Sequence, residues 1–291
     1  MTRRGIQLFA AMCLIWGIPY LLIRVAVDEI SPVVLVFART SIGALIIMPI
    51  VLARGGLRGL GTKWIAVLAF ALAEIGGPWL FLSSAEQHIA SSLAALLVSS
   101  VPLLGVIVAR LFGSRAGMGP LGIGGLALGV VGVAAIVGLN FHASGATALL
   151  QMALVAIGYA LGPAILGRYL KDVPSVTVNG IALGACAVAY APFAIARWPH
   201  VMPGIQVLAS VGILGVVCTA LAFLLFFELI SEIGPVRATV ITYINPAVAA
   251  LLGIAVLRET FTLGMGIGFV LVLAGSILAT RRREAATKVK E

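Results

Sequence analysis

The chain alternates long apolar runs with short polar interruptions. The runs predict ten helices, over 5–27, 33–53, 63–82, 90–110, 120–139, 146–166, 175–196, 205–226, 235–256 and 263–280. Each is long enough for a helix to cross a hydrocarbon core about 30 Å thick. A β-barrel would be written in alternating segments of about ten residues, and no such alternation is visible. The interruptions carry turn chemistry: Asp28, Glu29, Ser31 and Pro32, then Arg54 to Thr62, Gly113 to Gly119 and Asn140 to Gly145. Lys171 to Pro174, Arg197 to Pro203, Glu228 to Gly234 and Arg258 to Thr262 complete the set. Connections this short leave no room for a separate soluble domain.

The pattern is written twice. Gln7, Pro19 and Arg24 recur 144 positions later as Gln151, Pro163 and Arg168. Pro102 recurs at the same offset as Pro246, and Gly122 and Gly124 as Gly266 and Gly268. Five spans per half is an odd number, so the second copy must lie upside down relative to the first. The expected fold is an all-α integral membrane protein of ten transmembrane helices in two inverted-topology five-helix repeats. These cover 1–141 and 142–282, with a cytoplasmic tail over 283–291. Inverted repeats of this kind place a substrate site between the halves near the membrane midplane.

Composition agrees with the pattern. The chain is 62% hydrophobic and 10% charged, whereas a soluble domain carries about 25% charged residues. The net charge of +9 does not mark a nucleic-acid surface, because the basic residues are spread over short loops and the tail. With the N-terminus inside, fourteen Lys and Arg fall on the inner side, against Arg197 and Arg258 outside. The positive-inside rule therefore puts both termini in the cytoplasm. Arg3 and Arg4 before an apolar run resemble a signal peptide, but Trp16, Gly17 and Pro19 interrupt it and no clear cleavage site follows. A retained first span is expected.

No catalytic motif is present: HExxH, a GxSxG in suitable context and GxxxxGK[ST] are all missing. Cys13, Cys186 and Cys218 lie in apolar runs without metal-ligand spacing, and His88, His142 and His200 fall in three different outer loops. The chain is read as no enzyme, with no catalytic residue, metal or cofactor. Its expected partners are a small-molecule substrate, membrane lipid and, as an open option, protons. Glycines four apart, such as Gly125/Gly129 and Gly158/Gly162, suit close helix packing. A monomer is expected, with a dimer through such faces the alternative.

The candidate chemistry lies in polar and aromatic groups at membrane depth. Glu74 precedes Gly76, Gly77 and Pro78 in mid-span; it either binds an amine or a coupling proton, or is a neutral acid bonded between helices. Arg39 either attracts a substrate carboxylate, or snorkels to the interface, or pairs with Glu74. Trp16 and Tyr20 share a helical face, and Tyr159 is the near counterpart of Trp16 in the second half. With Trp79 and Tyr243, these rings suit a planar or cationic substrate, or else pack the bundle. Asn245 either binds substrate or caps a carbonyl freed by Pro246. Pro19, Pro78, Pro102, Pro163 and Pro246 each remove a helical hydrogen bond and predict kinks.

The stretch EIGPVRATVITYINPAVAALLG over 232–253, with Arg258, Glu259 and the glycines from Gly264 to Gly275, resembles the second EamA domain of the drug/metabolite transporter superfamily. Trp16, Gly17, Pro32 and Arg39, then Ala90 to Val137 with Ser91, Ser92 and Pro102, resemble the first. The resemblance implies a ten-helix secondary transporter of the inner membrane that exports or exchanges small metabolites by alternating access. Within the family it leans to the aromatic amino-acid exporters of the YddG type, which also handle cationic compounds. A channel-like facilitator and a membrane-embedded enzyme remain the alternatives. One departure stands out: the Gly-Glu usual after the fourth helix is here Gly113, Ser114 and Arg115, while the second copy keeps Glu259.

Overall fold

A computed structural model describes residues 2–112, 119–138 and 145–280. The expected breaks at Gly113 to Gly119 and Asn140 to Gly145, except Gly119 and Gly145 themselves, and the tail over 283–291 lie outside these residues. The described residues are helical, with no strand. Among the described residues nine helices are long and apolar enough to cross a membrane: α1 (Arg3–Ala26), α2 (Pro32–Ala53), α3 (Trp64–Ala85), α4 (Ser91–Leu111), α5 (Pro120–Gly138), α6 (Ala146–Tyr169), α7 (Ser175–Ala196), α8 (Ile205–Ile233) and α10 (Leu263–Thr280). The helix α9 (Ile241–Leu257) is equally apolar but has 17 residues, about 26 Å of rise. It is preceded by a one-turn helix, Pro235–Ala238. The sequence predicted one uninterrupted span over 235–256; the turn at Thr239 and Val240 divides it.

α8 also differs from expectation. It continues past residue 226 to Ile233, for 29 residues in all. Glu228 and Glu232 read as loop punctuation, but glutamate is a good helix former, and both have partners on the N-terminal segment. Arg4 forms an ion pair with Glu228 at 2.8 Å, and the Thr2 hydroxyl donates to Glu232.

The prolines act in two ways. Pro19 and Pro102 stand at the first or second position of a new helical segment, after breaks at Trp16–Ile18 and Ser99–Ser100. There a missing N–H costs little. Their second-half counterparts, Pro163 and Pro246, lie inside continuous helices. The two copies therefore share the residue but not the break.

Helices pair across the halves. α1 packs on α8, α2 on α7, α3 on α6, α4 on α9 and α5 on α10. Exchanging each helix for the one five places on leaves this pairing unchanged. The α5–α10 contact is the closest. A methyl group at Gly132 would lie 2.7 Å from Val272 N and 2.8 Å from Gly268 O, and one at Gly125 2.6 Å from Ala279 N. The obstacle is backbone on both sides, so only glycine allows this approach. The other glycine pairs also meet neighbours within the chain: Gly180 faces Val51, and Gly184 faces Met48.

Polar contacts sort the connections into two ends. At one end are the Arg4–Glu228 pair, Lys63–Asp172 at 3.3 Å and Arg168 donating to Phe112 O. At the other, Gly204 N donates to Glu29 at 2.7 Å, and Ser91 and Ser92 N donate to Glu259.

Candidate functional site

Two turns of π-helix shape the middle of the bundle. One spans Ala71–Gly76 in α3 and the other Val216–Leu221 in α8, 145 positions apart. A π turn inserts a residue, widens the helix and releases carbonyls from the regular ladder, and such turns concentrate at functional sites. Glu74 and Thr219 occupy the same, fourth, position of the two turns. The exchange of carboxylate for hydroxyl is where the copies diverge chemically.

Each turn is braced by a helix of the other half. From α7, the Cys186 thiol donates to Ala71 O at 3.6 Å, and one helical turn on, the Tyr190 hydroxyl donates to Gly76 O at 3.0 Å. In α8 the Thr219 hydroxyl donates to Leu214 O at 2.8 Å, and Gly215 lies against Ile42 of α2. Thr219 also accepts the Nε–H of Arg39 from α2, at 2.8 Å.

Arg39 is the centre of the site. Its residue is 7% exposed, and its guanidinium carbon lies 3.7 Å above the centroid of the Trp79 ring. The stack satisfies the flat face of the cation, and Thr219 fixes its edge. Among the described residues no carboxylate lies within ion-pair distance of it. It neither snorkels to an interface nor pairs with Glu74. Tyr20 from α1 and Tyr159 from α6 complete its surroundings, each within electrostatic reach of the cation and of the other. A buried cation without an ion-pair partner is costly in a membrane, and such residues line substrate or ion pathways.

Glu74 and Arg39 are both within electrostatic reach of the Tyr159 hydroxyl. The Glu74 carboxylate rests on the bare backbone of Gly162 in α6, where no side chain would fit beside it. Gly158, one turn earlier, accepts Ala73 O and the Pro78 ring in the same manner, its own methyl-equivalent position lying 2.5 Å from that carbonyl. The glycine pair in α6 is thus the bed on which the π turn of α3 rests. One carboxylate oxygen of Glu74 is buried without a hydrogen-bond partner among the described residues.

The remaining sequence candidates lie elsewhere. Trp16 packs on Phe226 of α8, ring centroids 4.7 Å apart, and edge-on to Phe223 at 6.2 Å. Tyr20, rather than Trp16, is the aromatic group of α1 near Tyr159. Asn245 braces the two broken helices. With its amide turned so that nitrogen faces acceptors, it donates to Cys13 O at 3.1 Å and Ile241 O at 3.0 Å. Gly17 N donates to Leu14 O, so Cys13 O has no regular helical donor and Asn245 fills that place. Tyr243 is half-buried near the start of α9, and no polar contact ties it to Arg39 or Glu74.

Sequence reasoning missed the burial of Glu86 and named Glu259 without its partners. Glu86 follows the last residue of α3 and read as part of an exposed loop, yet it is 0% exposed. Glu259 accepts from Ser91 N at 2.8 Å and Ser92 N at 2.9 Å, capping the first turn of α4 from the opposite half. The Ser-Ser pair at the start of an apolar run was a visible signal of a helix start. That the cap would come from 168 residues away was not.

The comparisons with known proteins agree with this architecture. Residues 3–138 and 146–281 each match the EamA-like transporter family. The uncharacterized inner membrane transporter YedA of Escherichia coli K12 is 26% identical over 306 aligned positions, covering 99% of this chain and 98% of that protein. An uncharacterized transporter of Archaeoglobus fulgidus is 24% identical, over 92% of this chain and 95% of its own. The uncharacterized transporter YvbV of Bacillus subtilis is 24% identical, over 98% and 93%. A protein of known crystal structure superposes with a TM-score of 0.67 at 23% identity, over 96% of this chain and 97% of that one; at that identity the likeness speaks for the fold alone. With both halves matched, the chain belongs to the EamA-like transporter family, as a multi-pass membrane transporter.

Proposed function

We propose that this transporter exports or exchanges small metabolites, amino acids above all and aromatic ones in particular, together with related or cationic compounds, by alternating access across the inner membrane. The observation that carries the reading is Arg39, buried without an ion-pair partner among the described residues, stacked on Trp79 and, like Glu74, within electrostatic reach of Tyr159. A zwitterion with a flat side chain matches this set of groups. Its carboxylate meets the guanidinium nitrogens that Thr219 leaves free, its ring lies among Tyr20, Trp79 and Tyr159, and its ammonium faces Glu74.

In this reading α9 is the tenth span, the halves are inverted and divide near residue 141, and the working unit is a monomer with both termini cytoplasmic. The exchange-symmetric helix pairing and the two matching π turns support the inverted arrangement. The halves would rock about the α5–α10 and α2–α7 contacts, exposing the Arg39 region to each side in turn.

Reconstitution in liposomes tests this. Saturable counterflow of labelled tryptophan is expected in the native protein. In Arg39→Gln half-saturation should rise at least 30-fold, matching the loss of about 2 kcal/mol or more expected when a buried charge pair loses one partner. Arg39→Lys keeps charge but loses the stack and the Thr219 bond, and should fall between. Linear, unsaturable flux would favour a channel, and product formation without flux an enzyme. Unchanged half-saturation in Arg39→Gln would remove Arg39 from the substrate site.

A further inference from the structure

Glu86 is within electrostatic reach of Arg39 but shares neither its ring stack nor its hydrogen bond. It caps the end of α3, its backbone N–H bonded to Leu82 O and Ser84 O. Both carboxyl oxygens are buried without a hydrogen-bond partner among the described residues. The N-terminus of α4 offers it nothing, because Ser91 and Ser92 N are already bonded to Glu259. The hydroxyls of Ser91 and Ser92, both fully buried, likewise have no partner.

The charged and titratable groups facing Glu86 come from four elements. Glu259 approaches from the connection after α9, Arg24 and Tyr20 from α1, Arg39 from α2 and Tyr159 from α6. Neither arginine is within ion-pair distance; Arg24 is held by Asp28 at 2.5 Å. A carboxylate with neither hydrogen bond nor ion pair cannot stay charged in such a site without a penalty of several kcal/mol. Burial, and then the like charge of Glu259, push the Glu86 carboxyl well above the ordinary carboxylate range, with Arg24 and Arg39 opposing. The two acids are thus in opposite situations. Glu259 lies on the positive end of α4, where a carboxylate is stabilised, and Glu86 lies beside it with no donor.

We infer that Glu86 is a proton-binding site, which keeps its proton while Glu259 caps α4 and releases it to solvent when the α3, α4 and α9 ends separate. On opening, the O–H bond of Glu86 breaks and the proton passes to water. The carboxylate left behind is then solvated by water. On closing, the site is desolvated again and the carboxylate takes back a proton. The coupled ligand is therefore a proton held at one end of the bundle. Glu74, in mid-helix against Gly162, belongs to the substrate site.

Infrared spectroscopy of the purified protein in liposomes tests this without any substrate, so its failure and that of the transport reading are separable. A protonated-carboxyl band is expected at neutral pH. It should shift on transfer to D2O, titrate away as pH rises, lose its Glu86 component in Glu86→Gln, show that component moved in Glu86→Asp and keep it in Glu74→Gln. If Glu86→Gln does not fold, the band displacement in Glu86→Asp carries the assignment. No band at neutral pH, or one unaltered by Glu86→Gln or Glu86→Asp, overturns the proposal. A Glu86 band that neither exchanges in D2O nor titrates also overturns it, making Glu86 a sealed structural acid.

Discussion

The bond between Arg39 and Thr219 joins the halves at the point where the repeats diverge, and Thr219→Val isolates it. Valine has nearly the shape of threonine, so packing in this fully buried position is preserved while the acceptor for Arg39 Nε is lost. The bond from Thr219 to Leu214 O at 2.8 Å is lost too. Hydrogen bonds to charged groups contribute about 1.5–3 kcal/mol, whereas neutral pairs within membrane bundles average about 0.6 kcal/mol. The Arg39–Thr219 coupling should lie between, at about 1–2 kcal/mol. The assay is a double-mutant cycle on unfolding free energy, comparing native protein, Thr219→Val, Arg39→Gln and the double variant. The cycle cancels the Leu214 bond, which both Thr219→Val proteins lack. In transport, Thr219→Val should raise half-saturation for labelled tryptophan with little change in maximal rate, because it loosens the guanidinium over Trp79 without removing it. A coupling energy within error of zero would refute the claim that Thr219 positions Arg39.

Two further outcomes follow from the other carboxylates. Glu259→Ala removes the acceptor for two N–H groups of α4 and should cost about 1–2 kcal/mol of stability, the range of a lost helix cap, read by unfolding in mixed micelles. Glu86 makes stability fall as pH rises. Its carboxyl holds a proton in the folded state at pH values where the unfolded chain has lost it, so raising pH above the ordinary carboxylate range favours unfolding. The slope reaches about 1.4 kcal/mol per pH unit up to the raised value. Thermal melts across pH should show this decline in the native protein and a flatter profile in Glu86→Gln; identical profiles would contradict it.

Much of the site was visible residue by residue. Arg39, Glu74, Trp79, Tyr20 and Tyr159 were singled out because charge and aromatic groups at membrane depth need a reason. The reason itself was not visible. Arg39 had a partner in Thr219, 180 residues away, and threonine in an apolar run gives no signal of its own. Glu86 escaped notice because a carboxylate next to Gln87 and His88 reads as solvated, and only packing from other helices shows that it is sealed. For Trp16 the sequence left binding beside packing, and for Asn245 binding beside capping; their contacts with Phe226 and Cys13 O place both in the frame around the candidate site.

By itself the sequence determined the membrane class, the length and approximate bounds of the helices and the doubling of the chain. These depend on local apolar content and on spacing along the chain, which the bilayer and the helical rise translate directly into structure. Only the tertiary structure decided which turns become π-helical, which prolines break a helix, and which buried charges have partners. Identical proline positions give a break in one half and a continuous helix in the other, so the residue alone does not set the outcome. The state of a buried charge is likewise set by the donors and charges packed around it, here drawn from helices far apart in the chain.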